Sequence, residues 1–104
     1  MENINTVEIL GKICTANAFI QISDQTRYRT FEVKTQMEHT NKNGDVKIIE
    51  ERHKVVLWNI LSDLASTFKY GDVVHIKGRL HHANNGVKYY TEIISTFCEK
   101  IIID

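Results

Sequence analysis

HKVVLWN, residues His53–Asn59, and GDVVHIKGRL, residues Gly71–Leu80, decide the fold. Counted in twos from Ile48, one parity of the first stretch holds Ile49, Glu51, His53, Val55 and Leu57. The other holds Ile48, Glu50, Arg52, Lys54, Val56 and Trp58. Successive strand side chains point to opposite faces, so bases and the only tryptophan share one side. Both faces turn apolar near Trp58, as in a barrel strand whose outer side meets a ligand or partner. In the second stretch Val74, Ile76, Gly78 and Leu80 alternate with Val73, His75, Lys77 and Arg79. The link between them has another period. Leu61, Leu64, Ala65 and Phe68 form an apolar helical stripe of about two turns. Asn59 and Ser62 are both competent caps, and Gly71 closes the segment in a left-handed conformation.

Upstream, Val7, Ile9, Gly11 and Ile13 share a parity in a strand over 4–13, and Gly11 marks a bulge or tight bend. A short apolar run over 18–23 ends in the turn SDQT. Tyr28 to Thr35 alternates again. The polar connection after it carries Asn43-Gly44, which marks a long hairpin whose arms extend past the barrel body. Downstream, Asn84-Asn85-Gly86 marks a second hairpin before a closing strand over 87–96, and the run from Phe97 to Ile103 extends the sheet or packs beneath it. The reading is all-β: a five-stranded Greek-key barrel, with a short helix between strands 3 and 4, over one domain, residues 1–104. That connectivity is the OB-fold.

Composition fits this size. A hydrophobic content of 42% supports one folded domain with a modest core. No run approaches the roughly 18 apolar residues of a membrane span. MENINTVEIL has no signal-peptide pattern, which leads to a cytoplasmic expectation. Cys14 and Cys98 have no zinc or redox spacing and read as reduced, largely buried thiols. Thirteen basic residues balance thirteen acidic ones. The basic character is local: from Lys69 to Lys88 bases outnumber acids four to one.

No catalytic constellation assembles. The glycines are scattered, so no phosphate loop exists. His81 and His82 point to opposite faces, and no third and fourth ligand completes a metal site. Glu50 and Glu51 are likewise on opposite faces of a strand and share no proton. The expectation is a non-enzyme with no cofactor and no metal.

A lone tryptophan is most often core, and a basic pair is most often solvated surface. Here Arg52, Lys54 and Trp58 share a strand face, and His75, Lys77 and Arg79 share the polar face of the next strand. Basic grooves with aromatic platforms bind single-stranded nucleic acid, phosphates on the bases and rings on the nucleobases. Lys34, Lys88 and Tyr28 join the candidates. Tyr89 and Tyr90 point opposite ways, and the reading assigns Tyr89 to the ligand. Phe19, Phe31 and Phe68 read as core. Ile48, Ile49, Val56, Ile93, Ile94 and the 101–103 run give more apolar strand surface than a small barrel needs, which suggests contacts between copies.

NTVEILGKI, FEVKT, ERHKVVLWNILSDLASTFKYGDVVHIKGRL and GVKYYTEII stand in the order of corresponding segments in bacterial-type single-stranded DNA-binding proteins. The chain resembles that family over residues 5–97. The resemblance implies an OB-fold homo-oligomer, a tetramer with a dimer as the alternative, that wraps single-stranded DNA. It implies work in replication, recombination and repair, with replication proteins as further partners. It places Trp58 at a stacking position and His53 at a subunit interface. Arg52 stands where many relatives carry a stacking tryptophan, Glu38 lies near another aromatic position, and the loop 81–87 has no aromatic. The resemblance therefore implies fewer stacks and more reliance on charge. Relatives continue into a flexible linker and an acidic tip, neither of which follows Ile101 here. A primosome-like accessory protein acting through protein partners is the alternative function.

Overall fold

The computed structural model describes residues 1–102; Ile103 and Asp104, the end of the expected apolar run, lie outside the described residues. Six strands and one helix follow in order: β1 Val7–Ile13, β2 Ala18–Gln21, β3 Arg27–Thr40, β4 Val46–Trp58, α1 Ile60–Leu64, β5 Val73–Asn84 and β6 Tyr89–Ile101. The sheet runs β1-β5-β6-β4-β3-β2, and a further β1–β3 pairing closes five strands into a barrel, with β2 riding on the edge of β3. The β4–β6 pair is parallel, Val55 opposite Ile93. The other pairs are antiparallel.

Closure happens at Gly11, as its place in the sequence suggests. β1 pairs with β5 as far as Lys12 and with β3 at Lys12 and Ile13. A Cβ on Gly11 would lie 2.2 Å from the Lys34 carbonyl oxygen, so only glycine lets the strands meet there. The expected hairpin is long: Tyr28 to Thr40 pairs without interruption with Trp58 to Val46. At its tip the Asn41 side-chain oxygen accepts from the Asn43 and Asp45 amides.

Inward positions follow the period of two. Ile13, Phe31, Val33, Val55, Leu57, Val74, Ile76 and Ile93 meet in one core, capped by Ala65 and Phe68. Ile93 is therefore spoken for inside the barrel and is not surplus surface.

The helix departs from its expected two turns. It covers only Ile60–Leu64 before irregular turns bring Ala65 and Phe68 inward. Leu64, counted in the apolar stripe, lies within α1 and is 60% exposed. Neither expected cap works through its side chain. Asn59 takes a left-handed φ of 56° and its Oδ1 accepts from the Arg27 amide instead. Ser62 is fully buried and its Oγ has no partner among the described residues. Phe19 is also not core: it is 47% exposed on β2, with the Arg29 guanidinium 4.9 Å from its ring centre. Arg29 holds α1 through the Ser62 carbonyl, and Asn17 holds the segment after it through the Ala65 and Phe68 carbonyls. Cys14 and Cys98 are free and half-buried. Among the described residues, no helix is long and apolar enough to cross a membrane.

Candidate nucleic-acid interface

β3, β4 and β6 turn one parity outward onto a shared face. Ladder register sets Tyr28 opposite Trp58, Thr30 opposite Val56, Glu32 opposite Lys54 and Lys34 opposite Arg52. Ile94 of β6 lies beside Val56, and Arg79 of β5 lies opposite Ile94. Tyr28 and Trp58 are tilted against each other at 41°, with ring centres 4.9 Å apart. Trp58 remains 38% exposed. The pair is a braced platform: Tyr28 fixes one side of the indole while solvent reaches the other.

A trough of about 250 Å³ runs from this platform over Val56 to Tyr90 and Glu92. It continues, through shared Lys54 and Tyr90, into a groove of about 470 Å³ lined by Glu32, Arg52, Asn85 and Lys88. The Lys54 ammonium sits 4.5 Å from the centre of the Tyr90 ring, a cation–π contact. Arg52, Arg79 and Lys88 belong to no ion pair found among the described residues. Lys34 is paired with Glu50 at 3.2 Å. Charge is thus mixed within the groove, which agrees with a neutral chain that is basic only locally.

The structure therefore brings together Tyr28, Trp58, Arg52, Lys54 and Lys88, with Lys34 and Arg79 at the margins. It separates Tyr89, which is 80% exposed opposite Asn84 at the hairpin end; the tyrosine on this face is Tyr90. The alternation of the pair was legible, but not which member faced the groove. It also separates His75 and Lys77. His75 pairs with Glu8 of β1 at 2.6 Å, and the Lys77 ammonium lies 5.3 Å from the centre of the Phe97 ring. A bulge between Lys77 and Gly78 sets Phe97 opposite Lys77 but Ser95 opposite Gly78, so β6 turns a new parity outward beyond it. His53 points to the inner parity at the root of the hairpin, where its Nε2 is 2.8 Å from the Thr35 hydroxyl. Sequence reading missed Glu32 and Glu92. Their parity was visible, but not their convergence on Lys54.

At the platform's end, Arg27 and Asp63 form a bidentate pair that ties β3 to α1. The hydrogen bond from Arg27 holds the Asp63 carboxyl below the usual carboxylate range, and the same bond raises the guanidinium. No group of three or more His, Cys, Asp or Glu residues able to hold a metal occurs among the described residues.

A five-stranded Greek-key barrel with a helix between its third and fourth strands is an OB-fold. The chain belongs to the single-strand binding protein family, whose model matches residues 4–99. That family consists of non-catalytic DNA-binding proteins. Solved structures share the fold. The single-stranded DNA-binding protein of Plasmodium falciparum, in complex with single-stranded DNA, matches with TM-score 0.83 and 20% identity over 100% of this chain and 98% of that one. The small single-stranded DNA-binding protein of Streptomyces coelicolor gives 0.79 and 15% over 98% and 96%. A deletion mutant of the Thermus aquaticus protein gives 0.84 and 14% over 95% of this chain, which spans only 51% of that one. No curated protein matches the chain by sequence.

Proposed function

We propose that the chain binds single-stranded DNA along the Trp58–Tyr90 trough, with no chemistry performed on it. Bases stack on Trp58, braced by Tyr28, and on Tyr90. Phosphates follow Arg52, Lys54 and Lys88, with Lys34 and Arg79 at the two ends. The observation that carries this reading is a half-exposed aromatic pair at 4.9 Å that opens into a groove lined by Arg52, Lys54 and Lys88. Stacking and phosphate neutralisation together make sequence-tolerant single-strand binding. The role is protection and presentation of DNA strands in replication, recombination or repair, within the cytoplasm.

Assembly as a homo-oligomer is part of the proposal, a tetramer or, alternatively, a dimer, with His53 near a subunit contact. What supports it is apolar surface away from the trough: Leu10 is 60% exposed, Phe97 38% and Ile102 82%. A cavity of about 450 Å³ lined by Glu8, Leu10, His75 and Ile101 opens on the same side.

Titration of oligo-dT against Trp58 fluorescence, with mass measured in the same buffer, tests both parts. Quenching that weakens as salt rises supports DNA binding. Unchanged fluorescence with no gel shift at low salt overturns it. A dimer whose weak DNA binding survives Trp58→Ala favours an accessory protein acting through protein partners. A monomer at all concentrations overturns the assembly.

A further inference from the structure

The cations of the groove fall into two kinds. Arg52 and Lys88 face the solvent without an ion-pair partner among the described residues, whereas Lys54 is already occupied. Its ammonium lies 3.6 Å from Oε2 of Glu92. The other oxygen, Oε1, is 3.1 Å from Nδ1 of His81. Glu92 and His81 are cross-strand partners on β6 and β5, so the backbone ladder fixes the contact. The Glu92 side chain is only 11% exposed, in the middle of the surface expected to meet a polyanion. A carboxylate there repels phosphate, and its burial shows that it is not there to be solvated.

We infer that Glu92 is an internal stand-in for phosphate that occupies Lys54 in the free protein, held in place by its contact with His81. This rests on the single-strand binding proposed above and names the residues that tune it. Lys54 and Glu92 sum to zero charge, and a phosphate arriving at Lys54 finds a site already neutralised. Such a contact releases almost no counterions, so Lys54 adds little to the salt dependence of binding. His82 points away, with Nδ1 3.0 Å from the Thr91 hydroxyl, and takes no part.

The test is anisotropy of a labelled oligo-dT with wild type, Glu92→Gln, Lys54→Gln and the double variant, from about 50 mM to about 500 mM salt. Glu92→Gln tightens binding at low salt and steepens the log–log salt slope by about 0.7, the value for one added phosphate on a single strand. Its advantage therefore shrinks about five-fold over a tenfold rise in salt. Lys54→Gln strips Glu92 of its cation and weakens binding on its own, and in the double variant the added slope of Glu92→Gln is gone. An unchanged slope in Glu92→Gln overturns the inference. So does an added slope that survives in the double variant, because the freed cation is then not Lys54. A purely structural Glu92 moves the thermal midpoint and leaves the slope unchanged, which also overturns it. Failure of the wild type to bind oligo-dT at the lowest salt overturns the single-strand reading itself.

Discussion

Replacing Trp58 by alanine separates stacking from charge. The indole is the exposed half of the Tyr28–Trp58 pair, and base–aromatic stacking contributes about 1–3 kcal/mol per base by truncation. Tyr28 stays behind as a poorer platform, which places the loss in the lower part of that range, about 1–2 kcal/mol. At about 1.4 kcal/mol per decade, Kd for oligo-dT rises roughly 5- to 30-fold at fixed salt. No cation is removed, so the dependence of log K on log salt keeps its slope. Arg52→Gln behaves in the opposite way. It removes one phosphate partner and makes the slope shallower by about 0.7, leaving the stacking residues in place. Anisotropy of a labelled oligonucleotide over a salt series reads both quantities, and far-UV circular dichroism checks that both variants fold. The reasoning fails if Trp58→Ala flattens the slope as much as Arg52→Gln does, or if its affinity matches the wild type. Either result would place the strand elsewhere on the barrel.

Gly11→Ala and Gly78→Ala each force a Cβ to 2.2 Å from a backbone carbonyl oxygen, that of Lys34 or Ile94. Both destabilise at or above the upper end of the about 1–3 kcal/mol typical of overpacking, measured by urea unfolding; a wild-type midpoint would remove the close-approach argument. Ser62→Ala removes a buried hydroxyl with no partner among the described residues and raises stability by about 1 kcal/mol, a higher thermal midpoint being the readout. Asp63 has its carboxyl pKa lowered by the hydrogen bond from Arg27, so the pair's stabilisation is present above the ordinary carboxylate range of about 4 and disappears as pH falls through the lowered value. Wild type and Asp63→Asn therefore differ in stability at neutral pH and converge in acid; a difference that widens in acid contradicts the assignment. Asp63 is exposed and Arg27 partly so, and added salt therefore narrows the neutral gap.

The barrel was legible because its strands obey a period of two almost without interruption. Val55 and Leu57 against Val56 and Trp58 placed the two sides of β4 from sequence alone, and Asn43-Gly44 announced the long hairpin. The helix was less legible. Leu61, Ala65 and Phe68 do point inward, but irregular turns after Leu64 deliver the last two, and a periodic stripe does not distinguish a helix from a turn that imitates one. Phe19 read as core because an isolated aromatic in a short strand usually is. The Arg29 guanidinium on its ring, reached across the β2–β3 ladder, lets it remain half outside. Asn17 carried no signal at all. Its two hydrogen bonds to the segment after α1 span about half the chain, and separations of that kind leave no local pattern.

The bulge on β6 is where sequence parity fails for function. From Tyr90, Glu92 and Ile94, a regular strand would next turn Thr96 outward and bury Phe97. Instead Thr96 is the extra residue in the ladder, and Phe97 comes out beside Lys77. One strand thereby serves two surfaces of different chemistry. Its first half gives Tyr90 and Glu92 to the basic trough. Its second half gives Phe97 to the apolar side that also exposes Leu10. β5 has unbroken parity, yet the same irregularity divides its bases: Arg79 lies opposite Ile94 at the trough, while His75 and Lys77 pack with Phe97. A continuous row of three bases would have extended the charged track around the barrel. By breaking the row, the bulge gathers the bases that carry the proposed binding on the Trp58 face and leaves the opposite side apolar. The proposed binding and the proposed assembly thereby use different surfaces of one small barrel.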